Sequence, residues 1–536
     1  MPRGGHGLDL GSLTPKNLQI YALNPQFMDR VGVWSDAMPQ NPIDALPEVF
    51  VSATNLTTAV SRAVRQGKLR QIGSKLYTRN LTDEPAQIVR RHIWPLVAGY
   101  LPGSLIADRT AIENAPAHDG SVFVISDRKR DIVLPGLSIR PRMGPGPLDS
   151  DRPFIGSLFL SSTARAYLDN MAPSRRRDGR VTRTLSRAEI EERLDDLIRR
   201  NGPEAANRLR EDARRIAPQI GRESEFAALE KLIGALLGTR EEALVTDRAR
   251  ARHTGAPFDP DRLNLFERLH RELRATAPVT RAARERDAGA RATLAFFEAY
   301  FSNFIEGTEF DVSEAADIVF RNVIPRDRPA DAHDILGTWR LVSDPLEMTR
   351  TPRDVPGFLQ LLKSRHATLM AGRPDKDPGL FKRELNRAGQ TVFVAPDQVE
   401  GTLARGFDVY RSLETPFARA VFMMFLVSEV HPFADGNGRI ARVMMNAELV
   451  AAGEARIVIP TIYRSNYLSG LKALSNMQNP TPLVRTLDFA QRWVAAVPWG
   501  ELDSTRAVLD SGNAFMDPAE ADDRGIRLKL PDPTPE

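Results

Sequence analysis

The sequence predicts a mainly α-helical protein with an α+β region near its start, and three observations carry that expectation. The run FARAVFMMFLVSEV, after Thr415 as cap and Pro416 in the first turn, is apolar on nearly every side and reads as a buried central helix. Upstream, LAFFEAYFSNFIEG sets Leu294, Phe297, Phe301, Phe304 and Ile305 along one apolar helical stripe. Between Leu46 and Asn80, by contrast, a helix capped by Thr54 or Asn55 and ended at Gly67 is followed by two short strand-like pieces, KLRQI and GSKLYTR.

Length and composition bound the rest. A chain of 536 residues exceeds one ordinary core and predicts several domains. Residues 1–46 mix Gly, Pro and polar residues without a period and are expected to be a poorly ordered leader. The expected divisions that follow are 47–240, a helical connector at 241–284, a helical domain at 285–510 with its core at about 353–497, and a disordered Asp- and Pro-rich tail at 511–536. No run approaches the roughly 20 apolar residues that span a bilayer, so no membrane partner is expected. The start MPRGGHGLDL lacks a secretory pattern, and cytoplasm is the default expectation. Without a cysteine, disulfides and thiolate metal sites are excluded. A net charge of +4 excludes a wholesale electrostatic affinity for nucleic acid.

Local charge is another matter. The early helix and hairpin carry Arg62, Arg65, Lys68 and Arg70, a face that could meet DNA phosphates. The run SRRRDGRVTR, with Arg175, Arg176, Arg177, Arg180 and Arg183, reads as an exposed, solvated loop. SRAEIEERLDDLIRRNG and SEFAALEKLIGALLG read as packing helices ended by glycine. In residue type and order, LTTAVSRAVRQGKLRQIGSKLYTR and SSTARAYLDNM resemble the winged-helix antitoxins of the AbiEi type. That resemblance spans residues 47–237 and makes DNA a candidate partner.

The chemistry concentrates in HPFADGNGRIAR, residues 431 to 442. The end of the apolar helix delivers His431, Phe433 can anchor the loop, and the turn feeds a second helix, GRIARVMMNAELVAA. Free N–H groups and the positive dipole end make a helix start an anion site, and Gly436 and Gly438 permit close backbone approach. Arg439 and Arg442, three apart, are expected to reach one set of phosphate oxygens. Asp435 among phosphates makes sense if a divalent cation such as Mg²⁺ bridges them. His431 is then suited to take a proton from an incoming hydroxyl, and nucleotidyl or phosphoryl transfer follows.

The passage matches the Fic signature H-x-F-x-(D/E)-G-N-G-R-x-x-R at each specified position, and the resemblance extends over about residues 285–500. It implies an all-α Fic domain with a small flap hairpin. In that reading His431 is the base for a Tyr, Thr or Ser hydroxyl attacking the α-phosphate of ATP, and AMP stays on the target. Asp435 holds Mg²⁺, Asn437 and the loop amides hold the α-phosphate, and Arg439 and Arg442 the outer phosphates. Thr391, Val392, Phe393, Val394 and Ala395, within GQTVFVAPDQVEG, resemble the flap edge that pairs with a target backbone. Asn466 and Tyr467 resemble residues bordering the adenine pocket.

Ser302, Glu306 and Gly307 match the (S/T)-x-x-x-E-(G/N) inhibitory motif of the family. The resemblance implies that Glu306 pairs with Arg442 and denies it to the γ-phosphate. The expectation is an autoinhibited protein adenylyltransferase using ATP and Mg²⁺ on a target protein, the chain itself included. Alternatives are a DNA-binding regulator with a nucleotide-sensing Fic domain, and AMP removal through Glu306. A homodimer is left open.

Overall fold

The computed structural model describes residues 46–175, 180–285, 287–389 and 391–531. The leader expected at 1–46 lies outside them except for Leu46, as do Arg176 and Arg177 of the arginine run. The chain separates into two compact units, one ending at Thr246 and the other beginning at Asp247.

In the first unit Val49–Val51 and Arg70–Gly73 flank Leu76–Thr78 in a three-stranded antiparallel sheet beside the helix Thr57–Arg65. The expected hairpin is there, but neither Thr54 nor Asn55 caps the helix. A 3₁₀ turn, Thr54–Leu56, precedes it, and the Thr57 hydroxyl donates back to the Thr54 carbonyl. Val60 and Ala63 bury the inner face, leaving Arg62, Arg65 and Lys68 exposed, while Arg70 donates to the Asp83 carbonyl at 2.5 Å.

A six-stranded mixed sheet follows, centred on the fully buried strand Ser121–Ile125, which runs parallel to Leu137–Arg142 and antiparallel to Leu105–Ile106. Helices Thr163–Met171, Arg187–Asn201, Pro203–Ile220 and Glu223–Leu236 complete the unit. Ser186 and Glu189 form a reciprocal capping box at the start of the second. The arginine run is less solvated than its composition suggests. Arg183 pairs with the buried carboxylate of Asp108 at 2.8 Å, alongside a bidentate Arg142, and Arg180 reaches Asp131 at 3.2 Å. A buried carboxylate needs such partners, which outweighs the preference of arginine for water.

The second unit is helical around one core. The central helix Pro416–Val430 has its expected Thr415 cap, which accepts from the Ala418 N–H, and twelve of its side chains are buried. The segment expected to be a connector instead supplies core. In the helix Pro260–Ala275, Phe266 is fully buried against Phe422 and Phe425, with ring centroids 5.9 and 6.1 Å apart. The aromatic helix Ala288–Ile305 buries Leu294, Phe297, Phe301 and Ile305 as expected, and Phe296 as well; Phe304 is half-buried.

Nor is the tail disordered throughout. Ala514 is buried and Phe515 lies on Phe301, centroids 5.3 Å apart and planes at 28°. Asp517 and Pro518, counted as signs of disorder, are the cap and first residue of the helix Pro518–Asp523. The strand-like stretch after Gly389 is short: Thr391–Val392 pairs with Arg387–Ala388, and Val394 turns into the core.

Candidate active site

The helix Pro416–Val430 ends at His431, whose φ of +54° lies in the left-handed region. That turn reverses the chain at the histidine. Nδ1 of His431 lies 3.1 Å from the Ser428 carbonyl oxygen. A carbonyl accepts, so Nδ1 carries the proton and Nε2 keeps its lone pair. Burial lowers the imidazole pKa to about 4, so the ring is neutral across the physiological range.

The loop beyond is fixed from within. Asn437 Oδ1 accepts from the Phe433 N–H at 2.8 Å, and its Nδ2 donates to the Phe433 carbonyl at 2.9 Å. This buried amide thus bonds the loop backbone through both its oxygen and its nitrogen. Here the side chain shapes the turn whose amides were expected to share the α-phosphate with it. Asn386 also donates to the Phe433 carbonyl at 2.9 Å, and the Lys382 N–H donates to that of Pro432 at 2.9 Å. Burial lowers the Lys382 pKa to about 7.

His366, fully buried, stacks on Phe433 at 3.6 Å, donates from Nε2 to the Asp435 carbonyl at 3.0 Å and accepts at Nδ1 from the Gly379 N–H. Burial brings its pKa to about 4 also. The two imidazoles are opposite tautomers, one propping the loop and one offering it a base.

The helix Asn437–Ala451 begins at left-handed Gly436. At its start the two arginines part company. Arg442 donates from Nε to Ser302 Oγ at 3.0 Å, and from Nη2 to the Ser302 carbonyl at 2.8 Å and to Glu306 Oε1 at 2.7 Å. Arg439 turns the other way, its Nη1 2.7 Å from Asp334 Oδ2 and its Nη2 3.4 Å from Asp435 Oδ1. The two positions are neighbours on the helix, about 60° apart around its axis, yet here the partly exposed Glu306 holds one side chain and the buried Asp334 the other, so the two do not converge on one point as expected.

Glu306 presses on the helix start. A Cβ built on Gly438 would fall 2.2 Å from Glu306 Oε1, so any larger residue there would push the carboxylate from this position. Gly307, at φ +93°, ends the aromatic helix just after it.

These groups face a cavity of 220 Å³ whose lining includes Glu306, Gly438, Arg442, His431, Phe393 and Tyr467. Phe393 of the hairpin lies flat on His431, 3.8 Å between centroids and 6° between planes. Val392 is held by its carbonyl, which accepts from Arg262 Nη2 at 2.5 Å, and Ala395 leads into the next 3₁₀ turn. Arg262 Nη1 also donates to the buried Glu429, and Ser475 donates to the other oxygen of that carboxylate. Burial raises the Glu429 pKa, while Arg262 pulls it down.

Tyr467 is buried and lines the cavity with Arg442 5.9 Å from its ring; Asn466 is exposed and outside the lining. Asp435, with its side chain 40% exposed, accepts from the Gly436 N–H at 2.6 Å. Among the described residues no three His, Asp or Glu gather as a metal cage. A half-exposed carboxylate beside an anion site fits Mg²⁺, which takes few protein ligands and completes its shell with phosphate and water. His366, Asn386, Asp334, Arg262, Glu429 and Ser475 escaped the sequence reading, since each stands in a stretch without a motif.

A neutral histidine at the end of a buried helix, a glycine turn opening the next helix and a covering hairpin meet at one cavity of a helical domain. Residues 358–449 match the Fic/DOC family, and the chain carries a Fic domain. It is 25% identical over 302 residues to the protein adenylyltransferase Fic of Drosophila willistoni, covering 55% of this chain and 58% of the relative. To the protein adenylyltransferase fic-1 of Caenorhabditis elegans it is 30% identical over 166 residues, 29% of this chain and 32% of the relative. The chain thus spans between a third and three-fifths of these relatives' lengths. Among solved structures, a segment of Fic-1 from C. elegans aligns with 60% of this chain and 88% of its own, at 16% identity and a TM-score of 0.32.

Proposed function

We propose that the protein is an autoinhibited protein adenylyltransferase, transferring AMP from ATP to a Tyr, Thr or Ser hydroxyl of a target protein. The observation that carries this is the unprotonated Nε2 of His431 on the same cavity as the start of an anion-binding helix. Nε2 accepts the hydroxyl proton as the oxygen attacks the α-phosphorus. The bond from the α-phosphorus to the bridging oxygen breaks, and pyrophosphate carries away that electron pair.

The amide of Gly438, in the first turn of the helix, donates to phosphate oxygens, with Asn437 holding the turn in shape. Arg442 takes the outer phosphates once it is free of Glu306. Arg439, fixed to Asp334, steadies Asp435, the residue that would hold Mg²⁺. That ion, when bound, neutralises charge on the phosphates. Relatives named protein adenylyltransferases support the reaction class.

Incubation with ATP labelled at the α-phosphate tests the proposal. Glu306→Gly should label itself or a lysate protein, His431→Ala in that background should not, and absence of labelling from Glu306→Gly overturns the assignment. A second reading, that the first unit binds DNA, is favoured by the exposed Arg62, Arg65 and Lys68 beside the small hairpin. Salt-independent or undetectable binding in a gel shift excludes it. AMP removal through Glu306 is tested by offering the wild-type protein an AMP-modified target.

A further inference from the structure

A lysine that the transfer chemistry does not use lies beside the catalytic loop. Lys382, just ahead of the hairpin strand Arg387–Ala388, is 6% exposed. Its main-chain N–H donates to the Pro432 carbonyl at 2.9 Å, and its Nζ donates to Asn386 Oδ1 at 2.7 Å. Asn386 in turn donates from Nδ2 to the Phe433 carbonyl at 2.9 Å, which leaves its oxygen for the amine. Main chain and side chain thus tie Lys382 to residues 432 and 433, directly after the base.

The amine has no acid to pair with. The guanidinium groups around the same loop are matched, Arg442 by Glu306, Arg439 by Asp334 and Arg262 by Glu429. Among the described residues no carboxylate comes within ion-pair reach of Lys382. The charged or titratable groups that face it are Arg262, of the same sign and from the helix Pro260–Ala275, and the neutral ring of His431, which itself faces Glu306 and Asp435. An ammonium buried without a counter-ion is costly, so burial lowers the pKa to about 7, with Arg262 adding to the fall. A neutral amine keeps an N–H for Asn386, so the tether holds in either protonation state. What varies is the charge beside the anion-binding turn.

We propose that Lys382 is a positioning residue for the nucleotide: it takes up a proton as the phosphates bind, and the resulting ammonium is their counter-charge while it holds the hairpin to the catalytic loop. This rests on the nucleotide-transfer reading above. The proton comes from solvent and adds to the amine lone pair, and no bond of the nucleotide changes in this step. A triphosphate seated at Gly438 and Arg442 brings the negative charge that the protein withholds from this lysine. The same ammonium opposes a second positive charge on His431, so the base stays unprotonated although phosphate nearby would raise its affinity for a proton.

Titration calorimetry on the full chain carrying Glu306→Gly tests this, with Mg²⁺ and α,β-methylene-ATP, which cannot be cleaved between the α and β phosphorus. Measured at about pH 8 in two buffers of different ionisation enthalpy, the heats give the protons taken up. Most of the amine is neutral there before binding, so about half a proton or more should be bound per nucleotide. Lys382→Met should abolish the uptake and weaken binding at least about tenfold. Lys382→Arg, charged at every working pH, should abolish the uptake and keep the affinity within about threefold, and it carries the test if the Met variant unfolds by circular dichroism. A lysine that only braced the hairpin would leave no such proton count. Binding without proton uptake when Lys382 is intact, or uptake that persists in the variants, overturns the role while leaving the nucleotide site standing. Failure to bind the nucleotide removes both.

Discussion

Glycine in place of Glu306 is the most informative perturbation. Arg442 has three partners, two from Ser302 and one from the Glu306 carboxylate at 2.7 Å. Removing the carboxylate clears the space above Gly438 and frees a charged donor for phosphate, a bond of about 1.5–3 kcal/mol. With a factor of ten for each roughly 1.4 kcal/mol, transfer should rise by about 10- to 150-fold. The cost in stability should be near 1 kcal/mol, since the Glu306 side chain is 35% exposed and the Ser302 bonds remain. Ser302→Ala supplies the graded control. It deletes the hydroxyl contact at 3.0 Å but keeps the main-chain one at 2.8 Å and the carboxylate, so activation should be a few-fold at most. The assay is initial-rate incorporation from α-labelled ATP at saturating concentration. Equal rates in wild type and Glu306→Gly, with both proteins folded, would refute the argument.

Further outcomes follow from the same contacts. Because burial sets the His431 pKa at about 4, kcat/KM of Glu306→Gly should lose activity only as pH falls toward 4; an acid limb near 6.5 contradicts the buried, neutral base. His366, also near 4 when folded and 6.5 when unfolded, takes up its proton preferentially in the unfolded chain between those values. Stability should therefore fall with pH across that window, by up to about 3 kcal/mol from this residue, and urea melts of His366→Asn should show a shallower fall. Asn437→Ala strips two buried bonds from the Phe433 backbone and should cost about 2–4 kcal/mol by chemical denaturation, with loss of labelling. Phe515→Ala, deleting a half-buried ring packed on Phe297, Tyr300 and Phe301, should cost about 2–3 kcal/mol; an unchanged Tm would mean the C-terminal helix is not part of the core.

Much of the site was legible because its parts are contiguous or obey a helical period. His431, the glycine turn and the pair Ser302 and Glu306 each stand in a short string whose local geometry dictates what they can do. What escaped was supplied across the fold. Nothing near Asp334 in the sequence says that it will claim Arg439, nor near His366 that it will stack under Phe433. Helical spacing placed Arg439 and Arg442 together, and tertiary partners separated them. In the same way Asp517 and Pro518 carry the composition of a loose end, yet Phe515 two residues earlier gives the chain a reason to fold back.

The aromatic helix that carries Ser302 and Glu306 has a mechanical consequence. Its Phe297 and Phe301 are locked among Trp499 and Phe515, ring pairs of about 0.5–1.5 kcal/mol each beyond their burial. Drawing the whole rod backward would break all of them at once. Swinging one guanidinium on its own bonds breaks three contacts and re-forms others. Activation should therefore leave the backbone where it is, and a signal able to switch the protein on needs to win a single side chain.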